Sequence, residues 1–182
     1  MPRSLWLLVI GMAVNVTGSS FLWPLNAIYI HEHLGKSLSI AGVVLMINAG
    51  ATVIGNLFGG TLFDKIGGYK SILLGAGITV AAITGLTLWH SFLPYAIFLA
   101  IMGFGSGIIF PSMYAMAGTV WKAGGRRAFN ALYVAQNLGV ALGASLGGIV
   151  ASYSFQLIFS ANTLMYFLFL FIAVFGYRNI QT

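Results

Sequence analysis

Charge is what this sequence has least of. Two acidic and eight basic side chains stand among 182 residues, 5% of the total, where an average soluble domain carries about a quarter. So few charges cannot give a 19.4 kDa globule a polar skin, which excludes a soluble enzyme and a disordered tail alike. The shortage of acids leaves a net charge of +6. Nucleic acid is nevertheless not the expected partner, because the basic residues are scattered between apolar runs, as membrane anchors are. Cysteine is absent, so disulfides, cysteine-held clusters and a cysteine nucleophile are excluded. What remains is apolar: 59% of the residues are hydrophobic and the mean hydropathy is +0.98. The chain reads as an integral membrane protein with the lipid bilayer as its solvent. Its first apolar run is longer than a signal-peptide core and no clear cleavage site follows, so it reads as structure.

A spanning helix needs about 20 apolar residues. Six stretches meet that length, at about 4–30, 38–63, 71–90, 94–118, 129–151 and 155–177. They are too long for barrel strands and lack a two-residue alternation. The expected fold is therefore all-α, a single bundle of six transmembrane helices over residues 1–182. With the N-terminus inside, seven of the eight basic residues face the cytoplasm: Arg3, Lys65, Lys70, Lys122, Arg126, Arg127 and Arg178. Only Lys36 lies outside. The positive-inside rule thus predicts cytoplasmic termini, with the three histidines and Glu32 on the outer side.

Two small-residue patterns recur. Gly18-Ser19 with Pro24 returns as Gly105-Ser106 with Pro111, and Gly55 with Gly59-Gly60 returns as Gly143 with Gly147-Gly148, offsets of 87 and 88 residues. Spans one to three (about 4–90) then resemble spans four to six (about 94–177). An odd number of spans per unit turns the second copy upside down, and such inverted repeats of three helices are a device of secondary transporters.

Between spans two and three runs Gly60-Thr61-Leu62-Phe63-Asp64-Lys65-Ile66-Gly67-Gly68-Tyr69-Lys70. Glycines allow a tight reversal and close helix approach, but an ordinary turn would not need the aspartate. An acid here can cap a helix or pair with an arginine across an interface. The segment resembles the signature of the major facilitator superfamily, Gly-x-x-x-Asp-(Arg/Lys)-x-Gly and basic residues. Gly60, Asp64, Lys65 and Gly67 match and Lys70 supplies one trailing base, whereas Gly68-Tyr69 replaces the usual basic pair. The resemblance extends over the whole chain, since the family's N-terminal half is six helices with both ends inside and an inverted three-plus-three repeat. It implies that Asp64 helps to latch two six-helix halves, with Lys65, Lys70, Arg126 and Arg127 in the same cytoplasmic charge cluster.

A second likeness lies in span five, where Gly139-x-x-x-Gly143-Ala144-x-x-Gly147-Gly148 resembles the antiporter motif of drug exporters, with alanine in place of its proline. The same residues would also serve as a plain packing face. One family feature is missing: the arginine usual in span four is here Leu99. No ionisable side chain lies mid-membrane at all, which speaks against proton binding by this half.

Polar side chains inside apolar helices should face protein or a water-filled cavity. Asn15, Ser19, Trp23 and Asn26 share one face of span one, and Asn48, Thr52 and Asn56 one face of span two. Span four adds Met113 and Tyr114, and span five adds Tyr133, Gln136 and Asn137. In the family, helices 1 and 4 line the central cavity. An uncharged wall of amides, aromatics and methionine suits a lipophilic or amphipathic small molecule; the alternative role is hydrogen bonding between helices, worth roughly 0.6 kcal/mol each.

Three other patterns are set aside. Gly143-Ala144-Ser145-Leu146-Gly147 fits a hydrolase elbow, but lies within a span and has no histidine after residue 90. His31-Glu32-His33 with His90 reads as a solvated helix end rather than a zinc site. Gly103-Phe104-Gly105-Ser106-Gly107 has no preceding strand and no phosphate-binding lysine. The expectation is thus half of a secondary transporter, not an enzyme, needing no cofactor or metal. It would sit in a bacterial cell membrane and export small molecules by alternating access, as a multidrug antiporter does. Its partner would be a second six-helix half or a copy of itself, and the competing reading is a non-transporting scaffold or assembly module.

Overall fold

A computed structural model describes residues 2–22, 25–89, 91–178 and 180. Helices are α1 (Arg3–Leu22), α2 (Asn26–Glu32), α3 (Leu38–Ile66), α4 (Gly68–Leu88), α5 (Phe92–Val120), α6 (Arg126–Ala151) and α7 (Phe155–Gly176), with a 3₁₀ turn at Lys122–Gly124 before α6. Six spans are long and apolar enough to cross a bilayer, α1 and α2 together forming the first. Bundled helices meet the bilayer's demand that every backbone polar group be satisfied within the protein.

One detail differs from the sequence reading: the second span runs on to Ile66, so Asp64 and Lys65 form the last turn of α3 instead of a loop. Gly67 alone makes the reversal: its φ of +87° lies where a side chain is strained, and α4 starts at the next residue.

The packing is paired. α1 lies against α6 and α7, α5 lies against α3 and α4, and α4 meets α7. Exchanging spans one, two and three for four, five and six leaves this pattern unchanged. The glycines repeat it in detail. A Cβ on Gly55 would strike the Phe104 carbonyl and one on Gly143 the Thr17 carbonyl. On Gly59 it would come within 2.9 Å of the Ile108 carbonyl, and on Gly147 within 2.8 Å of the Phe21 carbonyl. Phe104 and Ile108 stand 87 residues after Thr17 and Phe21. Bare backbones thus touch along two equivalent seams, α3–α5 and α6–α1, where close approach supplies the dispersion energy that holds helices together in lipid.

Two buried clusters fill the rest. One, at the end bearing Arg3 and Asp64, gathers Leu5, Leu8, Met12, Ile72, Ile109 and Met113. The other, toward the His31 end, gathers Tyr29, Ile83, Tyr95, Phe159 and Tyr166. Burial is uneven: 22% of the apolar window is buried in α3 and in α6, against 56% in α4. One stripe of the exposed surface is small or polar, with Ala49, Asn56, Gly60 and Asp64 on α3 and Asn130, Tyr133, Asn137, Ala144 and Gly148 on α6. The rest of the exposed surface of both helices is large and apolar, as at Ile47, Leu57 and Phe58 on α3 and Val134, Leu138 and Ile149 on α6, the kind of surface that lipid rewards.

Candidate functional site

Between the two clusters lies a cavity of about 270 Å³. α1 contributes Val16, Ser19 and Ser20, and α2 contributes Asn26. Asn48 and Thr52 face it from α3, and Gln136 and Val140 from α6. α5 adds Leu99, Met102, Gly103, Ser106 and Phe110, and α7 adds Tyr166. No charged side chain is among these lining residues.

The lining follows the repeat. Ser19 and Ser106 are 87 residues apart, while Asn48 and Gln136, like Thr52 and Val140, are 88 apart. Equivalent positions of the two halves of the sequence therefore face one space. Ser19 and Ser106 both stand beside the Tyr166 side chain. Its hydroxyl nevertheless has no hydrogen-bond partner among the described residues and is buried.

Hydrogen bonds behind the wall hold the amides in place. Asn48 donates its Nδ2 to the Leu99 carbonyl, while Tyr114 donates to Gln136 Oε1 at 2.7 Å. Tyr95 donates to Asn26 Oδ1 at 2.7 Å, and the buried Asn26 Nδ2 has no partner among the described residues. Hydroxyls mostly turn back on their own helices: Ser19 donates to the Val16 carbonyl at 3.1 Å and Thr52 to that of Asn48 at 3.0 Å.

The expected cavity residues are thus divided. Ser19, Asn26 and Gln136 line the cavity, and Tyr114 reaches it through Gln136. Asn15 is buried and its Oδ1 has no partner among the described residues, but it is not part of the wall. Met113 sits in the cluster at the Arg3 end. Tyr133 and Asn137 lie on the open face of α6, where Asn137 donates to the Tyr133 carbonyl at 2.9 Å. Trp23 lies outside the described residues. The sequence reading omitted Tyr166 and the buried Asn162, whose amide has no partner among the described residues, both on α7. A polar pair at i and i+4 in an otherwise aromatic span was the available signal.

The glycine motif of α6 has two sides. Gly139, Gly143 and Gly147 press on α1, whereas Ala144 and Gly148 are exposed. At the Arg3 end Gly60, Asp64, Lys65, Lys70, Arg126 and Arg127 are all exposed, and no ion pair joins them within 4.0 Å among the described residues. Arg127 instead lies over the Trp121 ring at 5.0 Å. At the opposite end His31 Nδ1 is 2.9 Å from the Lys36 carbonyl, and His33 stacks on Tyr29 and meets Phe155 edge-on.

Five of the six spans thus enclose an uncharged space in which a few polar side chains stand in a mainly apolar wall. The sequence profile of the Major Facilitator Superfamily matches residues 8–181. The chain belongs to that superfamily. An uncharacterised MFS-type transporter of Bacillus subtilis, YttB, is 64% identical over 182 residues, all of this chain and 46% of the relative. A multidrug resistance efflux pump PmrA homologue of Lactococcus lactis is 26% identical over 81% of this chain and 37% of its own length. A Na⁺, Li⁺, K⁺/H⁺ antiporter of Planococcus maritimus is 29% identical over 86% of this chain and 38% of its own. The chain spans less than half the length of these relatives. Among solved structures, a bacterial homologue of the human drug peptide transporters superposes with a TM-score of 0.86 at 20% identity, over 97% of this chain and 42% of the other. That likeness is one of fold.

Proposed function

We propose that this chain is one half of a secondary active transporter that exports lipophilic or amphipathic small molecules by alternating access. The observation that carries the reading is the uncharged cavity, to which equivalent positions of two three-span units contribute. In this reading residues 4–90 and 94–177 are the units, inverted with respect to each other, and both termini are cytoplasmic in a bacterial cell membrane. A second six-helix half packs on the open faces of α3 and α6, meeting Asn56, Gly60, Asn137, Ala144 and Gly148. Rocking of the two halves about the cavity then exposes it to one side at a time. Asp64, at the end of α3 and free of any ion pair among the described residues, latches to that second half. Lys65, Lys70, Arg126 and Arg127 complete the charge cluster beside it, and Gly60 and Gly67 keep the backbone close and sharply turned. The export of drugs rests on distant relatives, a multidrug pump among them.

The native absence of cysteine makes the test direct. Single cysteines at Ser19 and Gln136, in membranes containing the chain, should react with a water-soluble thiol reagent, and one at Leu146 should not. If neither cavity cysteine reacts while one at Ser37 does, the cavity is no aqueous path and the transport reading fails.

A further inference from the structure

We propose that this half recognises an uncharged group bearing both a hydrogen-bond donor and an acceptor, an amide or a hydroxyl on an apolar body, between Asn48 and Gln136. The proposal rests on the transport reading above and specifies what the cavity binds.

Asn48 on α3 and Gln136 on α6 occupy equivalent positions of the repeat and face the same cavity. Their supporting bonds orient them oppositely. The Asn48 amide must spend its NH₂ on the Leu99 carbonyl, because a carbonyl only accepts. Its Oδ1 is left as an acceptor. Gln136 accepts the Tyr114 hydroxyl at Oε1, and its NH₂ is left as a donor. No other hydrogen bond engages Asn48 Oδ1 or Gln136 Nε2 among the described residues. The two ends of the clamp therefore ask for an N–H or O–H on one side and a carbonyl or hydroxyl oxygen on the other. A polar atom left bare in an apolar interior is costly, so a ligand that pairs with Asn48 Oδ1 and Gln136 Nε2 is favoured over an apolar one.

Charge plays no part. Among the described residues no Asp, Glu, Lys, Arg or His lines the cavity, so none of them compensates a buried cation or anion there or titrates between pH 5 and 9. The remaining wall, Leu99, Met102, Phe110 and Val140, takes the apolar body.

The experiment uses the 182-residue chain in lipid nanodiscs and two fluorinated probes of similar size, 4-fluoroacetanilide and 4-fluorophenyltrimethylammonium, followed by ¹⁹F NMR titration. The amide should bind saturably, with an affinity unchanged between pH 5.5 and 8.5. Asn48→Leu and Gln136→Leu should each weaken it roughly three- to tenfold, the worth of one neutral hydrogen bond. The cation should not saturate. Because Asn48→Leu also removes a bond between α3 and α5, Gln136→Glu serves as the independent variant: it keeps the shape, adds a charge and should admit the cation. Saturable binding of the cation to the unaltered chain, weakened by Gln136→Leu, would overturn the neutral-group proposal and leave the cavity as a transport site. Amide binding indifferent to both leucine variants would overturn it too. If neither probe binds, the proposal falls, and the cysteine-accessibility result decides separately whether the transport reading falls with it.

Discussion

A single methyl group distinguishes the two faces of α6. Gly143 and Gly148 belong to one motif, yet a Cβ on Gly143 would stand 2.5 Å from Ser20 Cβ and strike the Thr17 carbonyl, while one on Gly148 would meet nothing within 4 Å. Carbon atoms rest about 3.5–4.0 Å apart, so Gly143→Ala must open the α1–α6 seam by about 1 Å. Overpacking of that kind costs about 1–3 kcal/mol, and glycine-to-alanine in a helix returns about 0.5–1 kcal/mol. The net is a loss of up to about 2.5 kcal/mol for Gly143→Ala. Gly148→Ala keeps only the gain. Both substitutions carry the same propensity term, so the difference between the variants isolates the steric cost, about 1–3 kcal/mol. Reversible unfolding of the chain in mixed micelles by increasing dodecyl sulfate, read by circular dichroism, measures that difference. The repeat supplies a replicate: Gly55→Ala should behave as Gly143→Ala, and Gly60→Ala as Gly148→Ala. Equal midpoints for Gly143→Ala and Gly148→Ala would refute the seam, and opposite behaviour of Gly55 and Gly143 would refute its symmetry.

Gly67→Ala places a side chain at φ +87° and should cost about 1–2 kcal/mol by the same unfolding assay, since the left-handed region is strained for any residue with a Cβ. Tyr177 donates to the Leu7 carbonyl at 3.1 Å and tucks its hydroxyl beneath Gly11; Tyr177→Phe should lose about 0.5–1.5 kcal/mol without altering probe binding in the cavity. Asp64→Asn should slow transport by the chain united with a second half while leaving its level in the membrane unchanged; an unchanged rate removes the latch role.

Much of the architecture was legible because a bilayer narrows the choices. Apolar length alone located all six spans, and the glycines whose recurrence suggested a repeat include those at which bare backbones meet. What escaped followed from how little an individual residue signals in such a chain. Asp64 read as loop, although α3 continues through Lys65, because charge is normally a mark of a span's end; Gly67 was the true stop. Asn48 and Gln136 escaped as repeat mates because they are different residues, related by amide chemistry instead of identity. Tyr166 and Asn162 were hidden in a span dominated by apolar and aromatic residues. Conversely Tyr133 and Asn137 satisfied the rule that polar residues avoid lipid, but the rule is silent on whether they avoid it by lining a cavity or by facing another protein surface.

That ambiguity has a physical resolution in the geometry of α3 and α6. Each presents glycines to one neighbour at a spacing of four, and small or polar residues to the open side one position further round. On α3 Gly59 meets Ile108 while the adjacent Gly60 is bare; on α6 Gly147 meets Phe21 while the adjacent Gly148 is bare. A paired Gly-Gly thus does two jobs that a single glycine cannot. The first residue lets α3 or α6 grip its own bundle closely enough to hold Asn48 or Gln136 at the cavity wall. The second leaves a smooth, open stripe ending, on α3, at Asp64. A bundle built only to dissolve in lipid gains nothing from that second glycine, since a leucine there would bury more apolar surface in the bilayer. Bulky Gly148→Leu and Gly60→Leu substitutions make the argument testable: both should leave the isolated chain as stable as before in micelles, and both should abolish association with a second six-helix half. Association that survives both would mean that the open stripes face lipid after all.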